Sequence, residues 1–168
     1  SRSKVEPPPV KEIAVAESIP VLQPEKPRGD EFVGQLNGLE PDISVVVAYG
    51  HILPTNVIDL PRLGTLNIHA SLLPAFRGAA PIQAAIREGL EETGVTIMRM
   101  VKALDAGPIL LQVRTPIPND ETYGELQLRL AEMGLEGFLE LADLYQGCGH
   151  LRFLPWRRRR IPCAWPRW

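Results

Sequence analysis

Asn67-Ile68-His69-Ala70-Ser71-Leu72-Leu73-Pro74 is the stretch whose reading decides the fold. Gly64 ends whatever precedes it, and Leu66 and Ile68 then alternate with Asn67 and His69. That alternation predicts a strand over residues 65–69, because side chains two apart on a strand share a face. Asn67 and His69 then stand side by side, while Leu66 and Ile68 turn the other way. An amide and an imidazole together near the C-terminal end of a strand can do chemistry. The amide can donate to a developing oxyanion, and the imidazole can donate to it or move a proton. Ligands of open parallel sheets bind at the carboxyl ends of the strands. Taken alone, the pair reads more readily as a hydrogen-bonded structural His beside a turn-capping Asn.

Working outward, Ile43 to Ala48 is a continuous β-branched run, the pattern of a parallel strand covered on both faces. Tyr49-Gly50 ends it, and Gly50 lets a ligand approach the backbone. Residues 54–60 suit a short helix. Beyond Pro74, the loop runs to Gly78, and Pro81 suits the first turn of a helix reaching about Glu88. Residues 95–101 and 109–117 read as two strands joined by the turn Leu104-Asp105-Ala106-Gly107-Pro108, hence an antiparallel pair. Residues 121–145 form one long amphipathic helix with Leu126, Leu130, Met133 and Leu141 toward the core. Upstream, residues 10–18 and 31–39 read as helices and Pro20-Val21-Leu22 as a short strand. Ser1 to Pro9 is a loop with an extended Pro7-Pro8-Pro9 segment. Helices alternating with apolar strands give an α/β fold.

Composition narrows the class. A chain of 168 residues suits one domain with a real core. It has no apolar run of about 18 residues to cross a membrane, and its polar, proline-rich start is unlike a signal peptide. The two cysteines, Cys148 and Cys163, have no metal-type spacing, so a reduced, cytoplasmic protein without a metal is expected. Charge is uneven. Residues 1–145 hold all 20 acidic and 12 of the 18 basic residues, a net −8, while the last 23 residues hold six Arg and no acid, a net +6. All three Trp lie in that tail, including Trp156-Arg157-Arg158-Arg159-Arg160. Residues 146–168 show neither helical nor strand periodicity and read as a segment apart from the fold rather than as a nucleic-acid arm.

The run from Asn67 to Pro74, followed by Phe76-Arg77-Gly78, resembles the signature of the folate-dependent formyltransferases. Gly78-Ala79-Ala80-Pro81-Ile82-Gln83, Glu92-Thr93-Gly94-Val95-Thr96-Ile97-Met98 and Leu104-Asp105-Ala106-Gly107 extend the likeness. Pro9-Val10-Lys11-Glu12, Val21-Leu22-Gln23-Pro24-Glu25 and Val47-Ala48-Tyr49-Gly50 do too, so that it covers residues 1 to about 145.

The resemblance implies a Rossmann-like domain, a mostly parallel sheet flanked by helices, that uses 10-formyltetrahydrofolate as co-substrate. Within that family these motifs are similar to the branch whose acceptor is initiator methionyl-tRNA. By position, Asn67, His69 and Asp105 match the family's catalytic trio. Tyr49, Gly50 and Ile52 match one wall of its folate pocket, and Ser71, Leu72, Leu73 and Pro74 the other. Arg2 and Lys4 match its basic tRNA-binding loop, although Ser1 and Ser3 stand where glycines are usual. His51 and His150 match no catalytic position and are expected to be structural or surface residues. A monomer without a membrane partner is expected.

Relative to the family's pattern, an opening β-α-β unit with a Gly-Thr-Pro-type turn and a C-terminal barrel-like domain are absent from the sequence. The strand at residues 43–48 is therefore expected to have an open edge and uncovered faces. The competing expectations are a glycinamide ribonucleotide or amino-sugar acceptor, and a truncated remnant without turnover.

Overall fold

The computed structural model describes residues 7–147. Contacts divide these into two units, residues 7–25 and residues 26–147. The first holds helix α1 (Pro9–Ala16), opened by Pro9 at N1, with no buried residue. Lys11 Nζ donates to Gln23 Oε1 at 2.6 Å across this unit. Residues 20–22 form no strand there. Pro20 and Pro24 cannot donate to a ladder, and Val21 and Leu22 are exposed.

The second unit is built on one sheet. Its elements in order are α2 (Asp30–Asn37), β1 (Ser44–Val47), α3 (Thr55–Ile58), β2 (Thr65–His69), α4 (Pro81–Arg87), β3 (Glu92–Arg99), β4 (Ile109–Pro116) and α5 (Tyr123–Gly147). The strands lie in the order β1-β2-β3-β4. β1 and β2 are parallel, joined across α3, whereas β2–β3 and β3–β4 are antiparallel. The Rossmann-like α/β fold is thus present with a mixed sheet. The short turn at residues 100–108 forces β4 back along β3, since a parallel return needs a crossover of a dozen or more residues.

The register gives the two faces of the sheet different jobs. Ile68 is opposite Ile97, and Ile97 is opposite Leu111. With Leu66 and Val95 they turn one way and meet Leu126 and Leu130 of α5 in the core, with Ile82 of α4 alongside. Each such side chain contributes about 1.5–3 kcal/mol when fully buried. α5 comes close because Gly134 carries no side chain: a Cβ there would lie 2.7 Å from Ile68 Cγ2. A capping box starts α5. The Thr122 backbone N–H donates to Glu125 Oε2 at 2.9 Å, and the Glu125 N–H reaches Thr122 Oγ1 at 3.4 Å. Arg129 then ties the first turns of α5 to the end of β4 through Thr115, the Pro116 carbonyl and Glu121.

The other face carries Asn67 and His69 on β2, Thr96 and Met98 on β3, and Gln112 on β4. Asn67 is opposite Met98, His69 opposite Thr96, and Thr96 opposite Gln112. β1 is not covered on both faces, as its β-branched run alone suggests, and has the open edge that comparison with the family's pattern leads one to expect. Val45 is 38% and Val47 40% exposed. Both point to the side of Leu66 and Ile68, and among the described residues β1 is an edge strand paired only with β2.

Candidate active site

Three loops meet above the polar face of β2, two from the C-terminal ends of β1 and β2 and one that leaves β3 beside the N-terminal end of β2 and folds back over the face. They span residues 48–54, 70–80 and 100–108. Each contains a non-glycine residue in the left-handed region: Ala48 at φ 45°, Phe76 at φ 54° and Asp105 at φ 46°. Such residues persist only where the surroundings hold them. Two of the three are held by the site itself.

Phe76 offers its carbonyl oxygen to His69 Nε2 at 2.9 Å. A carbonyl only accepts, so this contact places the imidazole proton on Nε2 and leaves Nδ1 facing the site. Asp105 is 38 residues from Asn67 in sequence, and Asn67 Nδ2 lies 3.4 Å from its Oδ1. Its Oδ2 accepts the Gly78 N–H at 2.8 Å and lies 3.9 Å from His69 Nδ1. The His69 and Asp105 side chains are each only 8% exposed. Asn67 and His69 both contact the carboxylate at distances longer than the usual 2.9–3.0 Å for N–H···O, so neither contact is saturated. An amide donor, an imidazole whose Nδ1 donates when the ring is doubly protonated, and one carboxylate converge in an arrangement for stabilising an oxyanion while taking up a proton.

The Asp105 turn is packed tightly. At Gly107 any Cβ would overlap the Arg99 carbonyl oxygen at the end of β3. Glycine is therefore required where the turn folds back and presents Asp105. The same turn walls a cavity of about 130 Å³. Its other walls include Ile52, Leu53, Ile58, Met98, Met100 and Leu104. It is smaller than the roughly 300–1,000 Å³ of drug-sized clefts.

The profile of the formyl transferase family matches residues 1–141 of this chain. The chain belongs to that family. Among curated formyl transferases, the methionyl-tRNA formyltransferase of Pseudomonas fluorescens is 55% identical over 140 residues, which are 83% of this chain and 44% of that protein. The methionyl-tRNA formyltransferase of Pseudomonas putida is 57% identical over 131 residues, 78% of this chain and 42% of that one. The chain thus spans less than half the length of these formyl transferase relatives. Among solved structures, phosphoribosylglycinamide formyltransferase from Bacillus halodurans superposes with a TM-score of 0.76 at 28% identity, covering 86% of this chain and 79% of its own.

Within this formyl transferase domain the expected site residues fall into groups. Asn67, His69 and Asp105 come together. Ile52 lines the cavity, and Tyr49 packs edge-on against His51, with ring centroids 5.6 Å apart. Gly50 lies in the same loop at φ 72°. Ser71, Leu72, Leu73 and Pro74 do not line the cavity. Ser71 is buried with its hydroxyl on the Ala75 carbonyl, Leu72 packs at Gly94, Leu73 is buried and Pro74 is exposed. Arg2, Lys4, His150 and the tail beyond Gly147 lie outside the described residues.

Sequence reading did not single out several residues of the candidate site. His51, read as structural or surface, is exposed as expected and also lines the cavity. The segment from Met100 to Leu104 forms the wall opposite Ile52, and its signal was available in its place between β3 and the Asp105 turn. Phe76 and Gly78 act through backbone groups, which no residue type announces. Among the described residues there is no group of three or more His, Cys, Asp or Glu placed to hold a metal, and no helix is long and apolar enough to cross a membrane.

Proposed function

We propose that this chain transfers a formyl group from 10-formyltetrahydrofolate to the α-amino group of methionine on initiator methionyl-tRNA. One observation carries the reading: Asn67, His69 and Asp105 converge beside an apolar cavity although 38 residues separate the first from the last. Identity above half to proteins named methionyl-tRNA formyltransferases supports the acceptor.

In this reading the donor's ring head occupies the cavity against Ile52, Leu53 and Met98, with Tyr49 and Gly50 at its mouth. The acceptor amine attacks the formyl carbon, and the carbonyl oxygen becomes an oxyanion. Asn67 Nδ2 donates to that oxyanion, as does Nδ1 of His69 in its protonated form. Asp105 takes the proton that the attacking amine must lose, directly or through a water. Collapse re-forms the carbonyl and breaks the bond from the formyl carbon to the donor nitrogen, which leaves with the proton that Asp105 took up. Ser71 to Pro74 act by placing this machinery rather than by touching the donor. Arg2 and Lys4 contact the tRNA backbone, and the protein works as a monomer in the cytoplasm.

The test incubates the 168-residue chain with 10-formyltetrahydrofolate and charged initiator tRNA, and follows formyl-methionyl-tRNA. Product is expected, together with a cooperative thermal transition that rises on adding the folate; ligand at 100 times Kd adds about 2.7 kcal/mol. Formylation of glycinamide ribonucleotide or an amino sugar in place of methionyl-tRNA would move the reading to that acceptor. A broad, folate-insensitive transition without product would leave the trio as inherited residues without turnover.

A further inference from the structure

Thr96 is completely buried on the middle strand, directly between His69 and Gln112 in the register. Its hydroxyl uses its whole hydrogen-bonding capacity on one loop and one neighbour. Thr96 Oγ1 donates to the Ser71 carbonyl at 2.6 Å and accepts the Leu73 N–H at 3.0 Å. Gln112 Nε2 donates to the same hydroxyl at 3.0 Å and to the Leu73 carbonyl at 2.9 Å. Both backbone groups of Leu73 and the carbonyl of Ser71 are thereby fixed from two strands. The Ser71 hydroxyl then spans the loop to the Ala75 carbonyl at 2.6 Å. The next residue is Phe76, whose carbonyl holds His69 Nε2.

We propose that Thr96 and Gln112 are positioning residues for His69. They clamp the loop from Ser71 to Phe76, which keeps the Phe76 carbonyl on Nε2 and Nδ1 toward Asp105. The chain of contacts is continuous from Gln112 through Thr96, Leu73 and Ser71 to Ala75 and Phe76, and it closes on the ring next to where it began. Without the clamp, nothing in the sheet itself selects the His69 tautomer, because the strand fixes the backbone of His69 and not the orientation of its ring. A hydroxyl with one donor and two acceptor sites suits this place, and valine, of the same shape, offers neither. The activity readout of this inference rests on the formyl-transfer reading above.

The experiment uses the full chain with ¹⁵N-labelled histidine and compares wild type with Thr96→Val, Thr96→Ser, Gln112→Leu and Ile97→Val. Side-chain ¹⁵N shifts of His69 report the tautomer directly. The wild type is expected to hold the proton on Nε2. Thr96→Val and Gln112→Leu are expected to give averaged signals of both tautomers and to lower kcat by about 10–100-fold, with KM for methionyl-tRNA changed less than about threefold. Thr96→Ser restores both readouts. Ile97→Val, on the opposite face of the same strand, perturbs the core while leaving tautomer and kcat unchanged. Gln112 lies on an edge strand and is half-buried, so Gln112→Leu carries the test if Thr96→Val does not fold. An Nε2 proton retained in the folded variants, or a tautomer change of equal size in Ile97→Val, overturns the proposal. Loss of formyl transfer in the wild type itself would sink the activity reading, and the ¹⁵N signals would still decide the positioning role.

Discussion

Thr96 and Ile97 are adjacent and equally inaccessible, 0% and 1% exposed, yet they belong to different machines. Ile97 turns toward α5 and joins Leu66, Val95, Leu126 and Leu130, where shape is all that matters. Thr96 turns the other way and spends its hydroxyl on the backbone of the loop that carries Phe76. The comparison extends along β2, where Ile68 serves the core and Asn67 and His69 serve the site. Burial alone does not tell the two faces apart. What separates them is whether a buried side chain meets carbon or a fixed polar partner. Among the described residues no buried side-chain nitrogen or oxygen lacks a hydrogen-bond partner, so the polar face is as completely satisfied as the apolar face is packed.

The sharpest way to break this comparison is on the polar face. Asn67→Ala, His69→Ala and Asp105→Ala are each expected to lower kcat of formyl transfer by about 10²–10⁴-fold with little loss of folate binding. Their thermal midpoints should move far less than their rates. Near-wild-type turnover in any one would remove that residue from the trio.

Ile97→Ala makes the reverse test. It should cost about 2–5 kcal/mol of stability. Denaturant unfolding should report that loss while the rate per folded molecule stays within about twofold. A large fall in that rate would mean the two faces are not independent.

Smaller effects follow at the ends of the sheet. Thr122→Ala opens the capping box and should lower Tm by roughly 2–5 °C in calorimetry. Glu125 accepts from the Thr122 backbone N–H and from its hydroxyl, which holds its carboxyl below the ordinary glutamate value. A depressed carboxyl stabilises above its unfolded value, and the contribution disappears as pH falls through the folded one. The gap between Thr122→Ala and the parent should therefore narrow in acid, and a gap that widens there would contradict the cap. Val45→Thr on exposed β1 should fall within about ±0.5 kcal/mol by the same unfolding measurement, the behaviour of a surface site. A larger cost would mean that this strand is covered in solution.

Much of this was readable from residue order. Period-two alternation placed β2 at residues 65–69 and set Asn67 beside His69. Pro81 marked the start of α4, and the Leu104 to Pro108 turn announced the β3–β4 pair. Asp105 became a candidate through family resemblance, because its partnership with residues 38 positions away has no local trace. Thr96 and Gln112 were invisible for a related reason: register across strands is set by packing and turns, not by either strand's own pattern. Val45 and Val47 carried two signals, the β-branched run that suggests cover on both faces and the family pattern that leaves an open edge, and their exposure follows the second. A β-branched run states that a strand is preferred and says nothing of how many neighbours it finds.

The Asp105 carboxylate has a further consequence for the proposed reaction. Its Oδ2 is occupied by the Gly78 N–H, while its Oδ1 sits against the Asn67 amide. Each oxygen already faces one protein donor, so an incoming amine is left with the remaining lone pairs, on the side away from Gly78 and Asn67. A formyl group is planar and offers two faces, and its oxygen must lie toward Asn67 and His69. With the base and the donors locked in that relation, attack reaches a single face. The short-lived tetrahedral carbon is then made in one handedness, although the planar product keeps no record of it.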